Sequence, residues 1–242
     1  MTAAASRTDE RPPTHLLLFD IDGTLLRSAG AGRAAMDIAA REIFGLDEGI
    51  QPTIGIDFAG ASDLGVLRDI AARHGQGYGE AEHARFLPRF AAELRARMRM
   101  PTHNGELLPG VRPLLDRLRE EAVVLALGTG NFRATAFVKL AHFDIHGYFD
   151  ASEGGGCFGE DGPSRPEFLR VGLERLRQRA PEADVVVIGD TVLDVRGGRA
   201  VGARVVAVDT GYSERADLIA AGPDVLLDDL SDLDASLRAL LG

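Results

Sequence analysis

The chain has 242 residues, 45% of them hydrophobic, a formal net charge of −10 and one cysteine. That length suits one large domain or a core with a smaller module. The acidity argues against a general binder of nucleic acid or anionic membrane. No apolar run approaches a membrane span. The lone Cys157 excludes an intrachain disulfide and fits a reducing, cytoplasmic setting. It lies in Gly154-Gly155-Gly156-Cys157 with no base beside it and reads as a bystander thiol.

Residues Met1–Thr14 lack an apolar stretch, carry Asp9, Glu10 and paired prolines, and read as a flexible tail without a signal-peptide pattern. Leu16 to Phe19 then form an apolar run, the mark of a buried strand. The run stops on Asp20, and Asp22 follows before Gly23-Thr24. On an extended segment Asp20 and Asp22 would point to opposite faces. A turn at Ile21–Gly23 would bring both to one ligand in different roles; a solvated Asp-Gly turn is the plain alternative.

Gly30-x-Gly32-x-x-Ala35 matches a loose dinucleotide fingerprint. That motif needs its first glycine directly after a strand, and the strand ended at Phe19. The segment reads instead as a hinge into a helix over Arg33–Phe44, stopped by Gly45. Helical spacing returns over Ser62–His74 and over 80–100, where Phe86, Phe90, Leu94 and Met98 recur every fourth residue and Pro88 introduces a kink. Gln51–Gly60 is a loop. A crossover between strands rarely needs on the order of 80 residues, so residues 30–105 are expected to form a separate helical module. Its hinges would lie near Ser28–Gly32 and Thr102–Pro109.

A helix is expected from Pro109 to Glu121. Ala122 to Leu127 is a second apolar run, ending in Gly128-Thr129-Gly130-Asn131, with a helix to Ala141. The glycine-rich 153–162 reads as a loop with a short strand, and a helix follows Arg165-Pro166 to Arg179. Val185 to Ile188 is a third run, ending in Gly189-Asp190-Thr191 with Asp194 beyond. The remainder reads as a helix over Val192–Val201, a strand over Arg204–Val208, a helix over Ser213–Ala221, a strand over Asp224–Leu227 and a helix over Ser231–Leu241. Asp209, Asp228 and Asp229 read as turn acids. The six histidines show no metal-binding spacing.

The three apolar runs lack polar alternation, as parallel strands covered on both faces do. Laid parallel, they bring Asp20, Asp22, Thr129, Asp190 and Asp194 to one sheet edge, where open α/β sheets bind ligands. Four carboxylates there call for a hard cation, and Mg²⁺ suits a site shared with phosphate.

Asp20-Ile21-Asp22-Gly23-Thr24, Leu127-Gly128-Thr129-Gly130-Asn131 and Gly189-Asp190 with Asp194 together resemble the haloacid dehalogenase-like hydrolases, in their phosphatase branch of phosphoglycolate phosphatase type. The resemblance runs from about residue 15 to the end. It implies an α/β fold: a Rossmann-like parallel-sheet core flanked by helices (15–29 and 106–242) with an inserted all-helical cap (30–105). It implies a Mg²⁺-dependent phosphatase acting on a small phosphorylated metabolite through an aspartyl-phosphate. Asp20 would be the nucleophile and Asp22 the acid and base. Asp20, the Asp22 carbonyl, Asp190 and Asp194 would hold Mg²⁺. Thr129 with its amide, Arg165, Gly130 and Asn131, and the backbone amides around Gly23 and Thr24, would bind phosphate or substrate. The family carries a lysine where this chain has Arg165; arginine keeps the charge and adds a fork suited to phosphate oxygens. Lys139, the sole lysine, is a competing cation. Ala61 stands where relatives often carry a cap-loop arginine, and Asp63 beside it is either a substrate contact or a helix N-terminal charge. An acid at residue 22 favours an oxygen leaving group over a halide. A sugar phosphomutase on the same core and a non-catalytic phosphate-ligand-binding protein are the alternatives.

Overall fold

A computed structural model describes residues 12–242. Of the expected tail, residues 1–11 lie outside the described residues. Thr14 is not tail. Its N–H donates to the Ala122 carbonyl at 2.7 Å and its own carbonyl accepts from Asp184 at 2.9 Å, so it extends the first strand.

In chain order the elements are β1 (His15–Phe19), β2 (Leu26–Arg27), α1 (Ala31–Phe44), α2 (Asp63–Arg73), α3 (Glu80–Met98), β3 (Glu106–Leu107), α4 (Val111–Leu118), β4 (Val123–Gly128), α5 (Arg133–His142), β5 (Gly156–Cys157), α6 (Arg165–Leu176), β6 (Asp184–Gly189), α7 (Val192–Ala200), β7 (Arg204–Val208), α8 (Arg215–Ala221), β8 (Val225–Leu227) and α9 (Leu233–Leu241). Six strands form one parallel sheet in the order β5-β4-β1-β6-β7-β8.

β1 is central because its side chains are buried on both faces. Leu17 and Phe19 pack with Leu114 and Leu118 of α4 and Leu240 of α9. Leu16 and Leu18 pack with Phe168, Leu169 and Leu176 of α6. Alternate residues thus serve opposite faces, which is why the strand reads as an unbroken apolar run. The register places Phe19 beside Leu127 of β4 and Ile188 of β6. The three motif-bearing strands therefore end level with one another.

The α1–α3 helices form the all-helical insertion. Ala35, Met36 and Ala39 of α1 share a core with Phe86, Phe90, Leu94 and Met98 of α3, and this core continues into Phe132 and Val138 of the α/β part. The α3 helix runs on through Pro88, with its apolar face buried on either side of the proline. The antiparallel β2–β3 ribbon, in which Leu26 pairs with Leu107 and Arg27 with Glu106 where the chain enters and leaves the insertion, is not foreshadowed by any periodicity. Among the described residues no helix is long and apolar enough to cross a membrane.

Candidate active site

Beyond β1 the chain turns sharply: the Leu25 and Leu26 amides donate to the Ile21 carbonyl at 2.9 and 3.0 Å. Gly23 sits at φ 92°, a conformation that favours glycine. A Cβ there would also lie 2.5 Å from Asp190 Oδ2. The turn sends the two carboxylates into different surroundings. Asp20 faces Arg165, Asp190 and Asp194. Asp22 faces Ser28, Asn131 and Lys139. The amides of Gly23 and Thr24, expected to cradle phosphate, are taken up inside the turn by the Leu26 and Ile21 carbonyls at 2.8 and 3.3 Å. Thr24 contributes its hydroxyl instead, donated to Asp190 Oδ1 at 3.1 Å.

Asp20, Asp190 and Asp194 are all buried, and each offers an oxygen within 4.8 Å of the others. Burial raises the Asp20 carboxyl to about 7; Arg165 opposes this and Asp194 adds to it. Burial and repulsion from Asp194 and Asp20 push Asp190 well above the carboxylate range, although the Tyr212 amide donates to its Oδ2 at 2.8 Å. Asp194 caps α7, its Oδ2 accepting from the Thr191 amide and hydroxyl at 2.9 and 2.5 Å. Its buried Oδ1 accepts no hydrogen bond and has the Arg165 guanidinium as ion-pair partner. Three buried carboxylates whose oxygens lie this close, two of them with raised pKa values (Asp20 and Asp190), suit a hard divalent cation. Glycines keep the space open. A Cβ on Gly189 would come 2.1 Å from Asp194 Cγ, and one on Gly211 would come 1.7 Å from Asp190 Oδ2.

Arg165 is the first residue of α6 and is buried, not a surface arginine. It pairs with Asp194 and, at 3.5 Å, with Asp20, and donates to the Gly128 carbonyl at 3.1 Å. Burial works against its charge, but Asp194, Asp20 and Asp190 together hold its pKa above the ordinary value. Gly197 leaves room for its stem, since a Cβ there would lie 2.7 Å from Arg165 Cγ.

Thr129 is buried at the end of β4. Its amide does not face the site: it donates to the Cys157 carbonyl at 3.0 Å, continuing the sheet ladder. Its hydroxyl oxygen accepts from Asn131 Nδ2 at 2.9 Å, which leaves its own proton for a ligand. Gly130 receives the insertion: its carbonyl accepts from the Asp63 amide at 2.7 Å, and a Cβ on it would lie 2.0 Å from the Ala61 carbonyl oxygen. The Asp63 carboxylate is no free helix-end charge, because Oδ2 accepts from the Phe132 amide at 2.9 Å. Burial raises it to about 6 against Lys139 and that amide.

Two groups beside Asp22 carry weak signals in the sequence. Lys139, named there only as a competing cation, donates to Asp22 Oδ2 and, at 2.5 Å, to Asn131 Oδ1. Ser28 donates to Asp22 Oδ1 at 2.9 Å. Burial would raise the Asp22 pKa, but the Lys139 ammonium and the hydrogen bonds from Lys139, Asn131 and Ser28 hold it below the ordinary range. Both lie within hydrogen-bond reach of the motif acid only through the fold, with Lys139 two helical turns past Asn131.

The other sequence candidates fall away. Gly30 N-caps α1 at φ 76°, and the strand before it, β2, belongs to the two-stranded ribbon with β3 and not to the parallel sheet, so no dinucleotide turn of that sheet is formed. Cys157 is buried with its thiol pushed up by burial. Among the described residues the acid cluster contains no histidine.

A family model described as haloacid dehalogenase-like hydrolase matches residues 14–202. A phosphoglycolate phosphatase of Cereibacter sphaeroides is 30% identical over 199 residues, 81% of this chain and 85% of that one. The tyrosine-protein kinase PtkA of Mycobacterium tuberculosis is 33% identical over 240 residues, 98% of this chain and 75% of that one. In fold, the chain is similar to CbbY from Rhodobacter sphaeroides in complex with phosphate, with a TM-score of 0.63 at 22% identity over 94% of this chain and 99% of that one. The motifs, the sheet order and the matched span together place the chain in the haloacid dehalogenase-like hydrolase family.

Proposed function

We propose that the protein is a Mg²⁺-dependent phosphatase hydrolysing a small phosphate monoester through an aspartyl-phosphate on Asp20. The observation that carries this is the buried triad of Asp20, Asp190 and Asp194, with oxygens within 4.8 Å of one another, at the level end of β1 and β6. Those three carboxylates and the Asp22 carbonyl would hold the cation, which neutralises phosphoryl charge.

Asp20 attacks phosphorus, and the bond to the ester oxygen breaks. Asp22, carrying a proton, gives it to that oxygen and the alcohol leaves. Asp22 then takes a proton from water as water attacks phosphorus, which frees Asp20 and releases phosphate. The proton taken in this second step is the one given in the next first step. Lys139, Asn131 and Ser28 favour the carboxylate form of Asp22, the form needed as base. The Thr129 hydroxyl and Arg165 bind phosphoryl oxygens where charge is redistributed. Residues 30–105 act as a cap over the core of 15–29 and 106–242, excluding bulk water during transfer. A cytoplasmic location is in keeping with a chain that has a single cysteine.

The match to PtkA supports a second reading, in which the phosphoryl group passes to a protein tyrosine instead of water. A panel of small phosphate esters, sugar phosphates and nucleotides, assayed for phosphate release with and without Mg²⁺, tests the proposal. Mg²⁺-dependent release supports it. Transfer of label to a tyrosine peptide or a second sugar hydroxyl, without release, favours a transferase.

A further inference from the structure

The loop between β7 and α8 braces the acid site from outside. The Tyr212 amide donates to Asp190 Oδ2 at 2.8 Å. The Thr210 hydroxyl donates to the Gly23 carbonyl at 2.5 Å, in the turn after β1. The Ser213 hydroxyl oxygen accepts from the Val192 amide at 3.0 Å, at the start of α7. Residues 210–213 thus touch the turns that follow both β1 and β6. Gly211 passes so close that a Cβ on it would lie 1.7 Å from Asp190 Oδ2. A small displacement of this loop therefore moves that oxygen or takes away its amide donor.

The loop is exposed at Gly211 and Tyr212 and belongs to no helix or strand. Arg27 holds it from the far side. Its Nη2 donates to the Thr210 carbonyl at 2.6 Å, across 183 residues of chain. Its Nη1 pairs with Glu106 at 2.8 Å. Arg27 and Glu106 face one another in the β2–β3 ribbon at the root of the insertion. As an ion pair this contact is worth little, because both side chains are half or more exposed. The charge-assisted bond to the Thr210 carbonyl carries the consequence, since it ties the ribbon to the loop that supplies the Asp190 donor. Three residues before Arg27, the Thr24 hydroxyl donates to the other Asp190 oxygen, Oδ1, at 3.1 Å. Both oxygens of Asp190 are therefore oriented from the short segment 24–27, one directly and one through the loop.

We propose that Arg27 is a positioning residue for the metal site: through Thr210 it fixes the Gly211-Tyr212 backbone, which orients the Asp190 carboxylate for a divalent cation. This rests on the Mg²⁺-dependent reading above. Loss of a group that directly orients a ligating side chain costs about 10–100-fold in metal affinity; Arg27 acts one step further out, so about fivefold is expected.

The test is the Mg²⁺ dissociation constant of the full chain without substrate, measured by isothermal titration calorimetry. Arg27→Met keeps the stem but removes both contacts, and should weaken Mg²⁺ binding about fivefold. Arg27→Lys, which reaches the Thr210 carbonyl without the fork, should recover part of the loss. Glu106→Gln breaks the ion pair and leaves the Thr210 contact, so its Mg²⁺ constant should stay within about twofold of the wild type. A merely structural role for Arg27 would lower the melting temperature and leave the Mg²⁺ constant unchanged, which would overturn the proposal. Equal losses in Arg27→Met and Glu106→Gln would overturn it too, because the ion pair would then be the cause. If the wild type binds Mg²⁺ and Arg27→Met binds it equally well, the Mg²⁺ reading stands and this inference fails. A wild type that binds no Mg²⁺ would remove both.

Discussion

Lys139 donates to Asp22 Oδ2 across 117 residues of chain, from a buried position on α5 to the turn after β1. Asp20, two residues before Asp22, has the Arg165 guanidinium at 3.5 Å but shares its site with Asp190 and Asp194. Burial, with Asp194 and Asp22, raises Asp20 to about 7 against Arg165, while Lys139 and its neighbours lower Asp22. Environments that separate the pKa values of adjacent carboxylates are how one site assigns them different tasks.

Replacing Lys139 by Met should therefore cost stability as well as activity. The variant leaves Asp22 without its cation in a largely buried site, a loss on the order of 3 kcal/mol. The sign follows from the depressed Asp22 pKa. The pair's contribution is fully present above the unfolded carboxyl value of about 4 and is lost as pH falls through the lower folded value. Urea unfolding of wild type and variant should show a gap at pH 7 that narrows below pH 4. A gap independent of pH would mean the lysine stabilises by packing alone.

The acid triad has the opposite sign. Asp20 holds its proton in the fold up to about pH 7, and Asp190 above the ordinary carboxyl range, where the unfolded chain has lost both. With chelator present, these two groups make stability fall as pH rises from about 4 towards 7. Asp190→Asn removes one of the repelling charges, so it should flatten that fall. Mg²⁺ should restore stability in the wild type, by about 2.7 kcal/mol at 100 times its Kd, and do so weakly in the variant. Thermal unfolding against pH, with EDTA or Mg²⁺, checks both statements.

Gly130→Ala tests the seating of the cap. The added Cβ would lie 2.0 Å from the Ala61 carbonyl oxygen, a backbone atom that cannot swing aside. The cap loop must lift, weakening the Asp63 amide bond to the Gly130 carbonyl. A fall in kcat/KM of about tenfold or more is expected, with a stability loss of about 1–3 kcal/mol. Unchanged kinetics would mean that cap contact at this point plays no part in turnover.

The site's acids were legible because β1, β4 and β6 are covered on both faces. Their side chains make continuous apolar runs, so Asp20, Gly128 and Asp190 stand out as the points where each run stops. The helices of the insertion were legible from the fourfold spacing of Phe86, Phe90, Leu94 and Met98. Two-residue strands such as β2, β3 and β5 are too short to carry a period. The approach of Gly211 to Asp190 and of Gly130 to Ala61 depends on tertiary packing that no local pattern encodes. Nor does sequence tell which amides remain free: those of Gly23, Thr24 and Thr129, expected from the motifs to face phosphate, bond to backbone.

The chemistry itself is tested most directly at Asp20. Mg²⁺-dependent phosphate release should be measured for the wild type and for Asp20→Asn, with folding of both checked by circular dichroism. Asparagine keeps the shape but removes the attacking carboxylate, and turnover should drop by about 10³-fold or more in a folded protein. An Asp20→Asn protein that releases phosphate at the wild-type rate would contradict the assignment of Asp20 as the phosphoryl acceptor.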